Sequence, residues 1–196
     1  MGSDRDPLSR PGRIALLPAQ GHLCHGAQVL RLPALALLTL LAALTLVMPA
    51  HARDSLGIYG KWGAFRDPAV PRCYAIAMAE PSTLRRDYQP YADIATWPAR
   101  QLRNQVHFRL SRKIAPANKI TLSIGGNRFE LIGGGGDAWA ADRRMDAAIV
   151  AAMRSARTMT VSARDAAGNR FSNTWTLAGA PSAMDAAALG CARTAR

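Results

Sequence analysis

An uncharged run at residues 32–50, preceded by Arg31 and closed by Ala50-His51-Ala52, divides the chain into a segment expected to be removed and a segment expected to fold. A short apolar core ending in a small-x-small tripeptide is the pattern of a secretory signal peptide. Cleavage is expected between Ala52 and Arg53, leaving residues 53–196, 144 of the chain's 196, as the mature domain. Residues 1–31 are long for a charged leader, because a whole signal peptide spans about 15 to 30 residues. Translation from near Val29 would shorten the leader to residues 29–52, with Arg31 as its charged end. The run also approaches the roughly 20 apolar residues that span a bilayer, so an inner-membrane anchor facing the periplasm is the alternative. Pro33 and the Ala-x-Ala ending favour cleavage, after which no transmembrane span is expected.

Loss of residues 1–52 removes Cys24 and leaves Cys73 and Cys191. An even pair of cysteines in an oxidising compartment reads as a disulfide, here joining the first third of the domain to its end. Closing so long a loop stabilises by on the order of 4 to 5 kcal/mol in the loop-entropy picture. The same cleavage takes four arginines and two aspartates out of a net charge of +12, leaving +10. That balance favours anionic partners: lipid, lipopolysaccharide, acidic glycan or nucleic acid. Eighteen of the 21 remaining cations are arginine, with no run longer than two, so the charge is spread over the surface.

Alternation of apolar and polar residues, with β-branched and aromatic enrichment, predicts strands over 58–65, 73–78, 91–96, 106–110, 120–124, 128–132, 159–163 and 171–177. Gly125-Gly126-Asn127 predicts a tight hairpin, and Ala166-Ala167-Gly168-Asn169 a slightly longer one. A helix is expected over 142–157, where Met145, Ala148, Ile149, Ala152, Met153 and Ala156 share one face and Arg143, Arg144, Asp146 and Arg154 fall elsewhere. A second helix is expected from Ser182, which forms a capping-box-like pair with Asp185 and aligns Met184, Ala187, Ala188 and Cys191 on its inner face. The fold class is mainly β with two helices, a compact β-sandwich-like single domain.

Catalytic motifs are scarce. The glycines at 133–136 continue into Asp137-Ala138-Trp139 rather than a Lys-Ser/Thr pair, so they read as a flexible strand-to-helix connection, not a phosphate loop. His107 is the one mature histidine; without cysteine or histidine at ligand spacing it implies no metal or other cofactor, and it reads as a surface strand residue. No Gly-x-Ser-x-Gly elbow or Cys-x-x-Cys is present. Trp62, Trp97, Trp139 and Trp175, with arginines between them, allow an aromatic binding face of the single-strand type, although alternation makes most of them core residues. Nucleic acid is also an unusual partner outside the cytoplasm.

The chain resembles the invasion-associated locus B (IalB) family of exported bacterial proteins. The residues that carry the resemblance are Trp62-Gly63-Ala64-Phe65, Arg72-Cys73-Tyr74-Ala75, Trp97-Pro98-Ala99, Ile120 to Gly126 with Phe129-Glu130-Leu131, and Asp137-Ala138-Trp139. They continue through Ile149 to Arg154, Met159-Thr160-Val161, Gly168, Trp175 to Gly179, and Ala183-Met184-Asp185-Ala186 to Cys191. Ala180-Pro181 stands where the family usually has an aromatic after the glycine, and the additional cysteine pair of some members is missing, as in a short single-disulfide type. The resemblance implies a periplasmic or envelope protein, linked in some pathogens to invasion of host cells, and no known catalytic residues.

The expectation is therefore a non-enzymatic exported protein, periplasmic or secreted, that binds an envelope or host component, anionic lipid or lipopolysaccharide among them. Two alternatives are a hydrolase whose carboxylates, from Glu80, Asp87, Asp93, Glu130 and Asp137, meet only in the fold, and a basic binder of single-stranded nucleic acid or anionic glycan. An inhibitor of host lysozyme suits the size, but a +10 chain would repel that basic enzyme.

Overall fold

The computed structural model describes residues 53–115 and 117–192; the segment expected to be a leader, including Ala52 at the expected cleavage position, lies outside them. Nine strands follow in order: β1 (Asp54–Tyr59), β2 (Trp62–Asp67), β3 (Arg72–Met78), β4 (Tyr91–Trp97), β5 (Leu102–Ile114), β6 (Ile120–Ile124), β7 (Asn127–Trp139), β8 (Thr158–Arg164) and β9 (Arg170–Thr176). Helix α1 (Arg143–Met153) lies between β7 and β8, and α2 (Ala180–Ala192) ends the described chain. All strand pairs are antiparallel, in the spatial order β1-β2-β3-β4-β5-β7-β6-β8-β9. The architecture is mainly β with two helices and β-sandwich-like, as the alternating pattern predicts.

The sheet turns back on itself because β7 serves both halves, pairing with β6 along its first part and with β5 along its second. Contacts from β9 close the structure: Glu80 N donates to Thr174 O at 2.7 Å, Trp62 Nε1 to Thr176 O at 2.9 Å, and Ser111 N to Asn173 Oδ1 at 2.9 Å. Alternate residues of both halves meet inside, with the Phe108 and Trp175 rings 5.4 Å apart among Leu110, Leu122, Val161 and Met153, all fully buried. Helix α2 packs on β1 to β4, and α1 on β5, β6 and β7.

Cys73 on β3 and Cys191 on α2 form a disulfide across 118 residues of sequence, with their Cα atoms 5.6 Å apart. The bond fastens α2 to the start of β3, third in the strand order. Of the expected inner face of that helix, Met184, Ala187 and Cys191 are buried, whereas Ala188 is exposed and Ala180, Ala183 and Gly190 complete the contact. The helix starts at Ala180, two residues before Ser182, so no capping box forms; Asp185 instead pairs with Arg154 of the loop after α1, at 2.7 Å.

Other departures have local causes. The stretch 58–65 is a hairpin, not one strand: it turns at Gly60-Lys61, and Tyr59 pairs with Trp62. The glycines at 133–136 lie inside β7, where the strand leaves β6 for β5, rather than in a connection to α1. Both expected glycine hairpins form, and Gly125 and Gly126 take φ of 55° and 82°, the left-handed region that a two-residue turn requires. In the second, Asp165 accepts hydrogen bonds from the backbone N–H of Ala167 (3.0 Å) and Asn169 (2.9 Å). Helix α1 ends at Met153, earlier than expected, and is capped by Asp142, whose Oδ1 accepts from Met145 N at 2.8 Å. Asp146 is not on its polar side: it is buried and accepts from Val106 N at 2.8 Å, tying the helix to β5.

Candidate functional site

Strict alternation along β5 sends Val106, Phe108 and Leu110 into the core and turns His107 and Arg109 to the opposite face. The ladders fix their neighbours. His107 lies between Asp93 of β4 and Trp139 of β7, and Arg109 between Tyr91 and Asp137. Cross-strand neighbours on one face stand close enough for their side chains to touch. The registers therefore assemble a cluster whose members are far apart in sequence.

His107 Nδ1 is 2.8 Å from Asp93 Oδ2, and Nε2 is 3.0 Å from Asp137 Oδ1. Asp137 also accepts from Arg109 Nη1 at 2.6 Å. The imidazole stacks on Trp139 with centroids 5.1 Å apart and meets the edge of Tyr91 at 5.7 Å. Burial disfavours the imidazolium, but the hydrogen bonds and negative charges of Asp93 and Asp137 outweigh it and raise the His107 pKa above its usual value. Hydrogen bonding to two carboxylates at once requires a proton on each ring nitrogen, which is the charged form. With His107 and Arg109 positive and the two aspartates negative, the cluster is balanced in charge.

His107 is thus no simple surface residue: its side chain is 16% exposed and both nitrogens are occupied. Neither nitrogen is left to take a proton from a substrate or to hold a metal in this arrangement. Among the described residues, no group of three or more histidine, cysteine or acidic side chains is placed to hold a metal ion. Of the five carboxylates considered from the sequence, only Asp93 and Asp137 come together. Glu80 is held by Lys61 at 2.7 Å and Thr176 at 2.8 Å, Asp87 by Arg112 at 3.2 Å, and Glu130 by Lys119 at 2.6 Å.

A second cluster occupies the same face of the sheet. Arg72 places its guanidinium over the Tyr74 ring at 4.5 Å and over the Trp97 ring at 5.2 Å, and Arg100 lies over Trp97 at 4.8 Å. Trp97 is fixed by donating Nε1–H to Gln105 Oε1 at 3.1 Å. Arg53, Arg66, Arg109, Arg112 and Arg154 have carboxylate partners; Arg72 and Arg100 have none among the described residues, and neither have Arg85, Arg86, Arg103, Arg128, Arg143, Arg144, Arg157, Arg164 and Arg170, so what sets this pair apart is the stacking on aromatic rings. Arg72 Nε is buried with no acceptor. Trp175 Nε1, in the core, is buried without an acceptor in the same way. The sequence shows that Arg and Trp are present, but only the strand registers show that they stack.

Open grooves mark the surface of the described residues. One of about 500 Å³ runs beside Trp97 along the β4–β5 turn to Ala188 and Cys191; two more lie beside Lys119 and Arg170 and beside Arg157 and Pro181. None of the three is lined by Asp93, His107 or Asp137. No protein-family model, curated protein or solved structure gives a significant match to the chain.

Proposed function

We propose that this chain is an exported bacterial envelope protein of the invasion-associated locus B type that binds an anionic envelope component, without catalysing a reaction. The observation that carries the reading is the pair of arginines, Arg72 and Arg100, held over aromatic rings with no carboxylate to neutralise them. Cations left unpaired on a surface are available to an anion from outside, whereas the neighbouring His107 cluster satisfies its own charges. A disulfide between Cys73 and Cys191 suits a protein that folds outside the cytoplasm. The ordered motifs of the sequence, from Trp62-Gly63-Ala64-Phe65 to Cys191, support the family assignment. A hydrolase would need a carboxylate free to meet substrate, and the two that converge are both turned to His107.

The partner this reading favours is lipopolysaccharide, a dense array of phosphate and carboxylate at the envelope surface. The test is equilibrium binding to vesicles containing lipopolysaccharide and to neutral phosphatidylcholine vesicles, each over a range of salt. Binding to the first that weakens as salt rises supports the reading, because exposed charges are screened within about 10 Å at 0.1 M salt. Undetectable binding at low salt overturns it.

A further inference from the structure

Alternation along β6, β8 and β9 buries Leu122, Val161 and Trp175 and turns Thr121, Ser162, Arg164, Arg170 and Ser172 outward. The registers set those outward residues in rows. Thr121 lies opposite Ser162 and Ser162 opposite Ser172, so three strands contribute one row of hydroxyls. Two residues further along, Arg164 lies opposite Arg170. Cross-strand partners share a face with their Cβ atoms about 5 Å apart, so the two guanidinium groups occupy one patch. Outward residues two apart on a strand are separated by about 7 Å, roughly the length of one sugar ring, and that is the distance from the arginine row to the hydroxyl row. All five residues line a single groove of about 580 Å³, with Leu84 and Phe171 as its apolar part and Lys119 as a further cation.

The arrangement is costly for the protein alone. Like charges directly opposite each other destabilise a sheet, and no carboxylate stands between Arg164 and Arg170. Asp165, next in sequence, is buried and bonded to Arg112 and to the backbone N–H of Ala167 and Asn169. Arg164 donates to Gly168 O at 2.7 Å, which fixes its guanidinium at the β8–β9 turn, and Arg170 has no hydrogen bond among the described residues. The hydroxyls show the same contrast. Thr160 and Thr174, in the neighbouring row, bond each other at 2.9 Å, whereas Ser162 and Ser172 have no side-chain partner among the described residues.

We infer that this groove binds an acidic sugar, its carboxylate between Arg164 and Arg170 and its hydroxyls on Thr121, Ser162 and Ser172. Guanidinium groups present planar forks of N–H donors that match carboxylate oxygens two at a time. A hydroxyl both donates and accepts, which suits the hydroxyls of a sugar. A bare anion would use the arginines and leave the hydroxyl row idle; a neutral sugar would leave the two positive charges facing each other. The site lies on strands that carry neither Arg72 nor Arg100, so it goes beyond the envelope-binding reading and does not depend on it.

The experiment is calorimetric titration of the disulfide-bonded protein, at low salt, with digalacturonate, maltose and acetate. Digalacturonate is expected to bind at least tenfold more tightly than either of the others. R170Q should weaken it at least fivefold, the double variant S162A/S172A at least threefold, and R72Q should leave it unchanged. R170Q guards against a folding defect, since Arg170 is exposed and its removal breaks no hydrogen bond. Undetectable binding of digalacturonate, or equal binding by wild type and R170Q, overturns the site. Acetate or maltose binding as tightly as digalacturonate overturns the ligand class. Lipopolysaccharide vesicles that R72Q and R100Q fail to hold, while both still bind digalacturonate, would show the two sites to be separate, as inferred.

Discussion

Asp146 gives the sharpest test of how the fold is held, because it is a buried charge with one well-defined task. Its Oδ1 accepts the backbone N–H of Val106 at 2.8 Å, joining α1 to the strand that carries His107 and Arg109. Replacing Asp146 with alanine leaves that buried N–H without an acceptor, which costs about 1–3 kcal/mol. Asparagine keeps an acceptor oxygen and removes the charge, so D146N should fall within about 1 kcal/mol of wild type at pH 7. Burial raises the Asp146 pKa, with the negative charge of Asp142 adding to it and the hydrogen bond from Val106 opposing it. A carboxyl whose folded pKa lies above its unfolded value stabilises in full below the unfolded value and loses that contribution as pH rises through the folded one. Wild type should therefore gain stability relative to D146N as pH falls from 7 toward 4. Urea denaturation of the three proteins, with unchanged m-values as the check on two-state behaviour, measures both effects. If D146A lies within about 0.5 kcal/mol of wild type, or if wild type loses ground to D146N on acidification, the reasoning about this bond is wrong.

The His107 cluster predicts a pH dependence of its own. Because Asp93 and Asp137 together raise the His107 pKa against the effect of burial, its stabilising contribution is complete below the usual value of 6.5 and is lost as pH rises through the higher folded value. The stability difference between wild type and H107Q, followed by urea titration from pH 6 to pH 9, should shrink steadily; a constant difference would contradict the charged, doubly bonded imidazole. Gly136 predicts a steric effect: a Cβ there would lie 2.5 Å from the Tyr88 ring and 3.2 Å from Arg109 Nη1. G136A should cost about 1–3 kcal/mol through overpacking and expose the 80–90 segment to limited proteolysis; a variant as stable and as resistant as wild type would show that the approach is looser than described. Removing the cap of α1 in D142A should cost about 1 kcal/mol in thermal or urea melts, and no loss would contradict the 2.8 Å bond to Met145 N.

Seven of the eight apolar alternating segments, two glycine turns and the two helices are readable from residue spacing, since burial of one face imposes a period of two or 3.6 whatever the partner. The 58–65 stretch was misread because Gly60-Lys61 interrupts the alternation only briefly, and a tight hairpin leaves little else in the sequence. Asp146 was misplaced because its position on the helical wheel borders the apolar stripe; a carboxylate there looks solvated unless the backbone N–H of Val106, 40 residues away, is known to face it. The side-chain clusters of the candidate site are the least legible part. Asp93, His107 and Asp137 meet only through the pairing of β4, β5 and β7, and Arg72 reaches Trp97 only because β3 and β4 lie side by side. The disulfide was legible from the expectation that Cys24 leaves with a leader, which leaves Cys73 and Cys191 with one way to pair.

Export, followed by closure through the bond between β3 and α2, is what the fold and the proposed function both depend on. Intact-mass analysis of the protein recovered from the periplasm of expressing cells, without reductant and then with it, measures both parts of that claim at once. The expected result is a chain beginning at Arg53 that gains about 2 Da on reduction, the mass of the two protons and two electrons taken up by one disulfide. A chain found only in the cytoplasm with its leader attached, or one whose mass is unchanged by reductant, would contradict it.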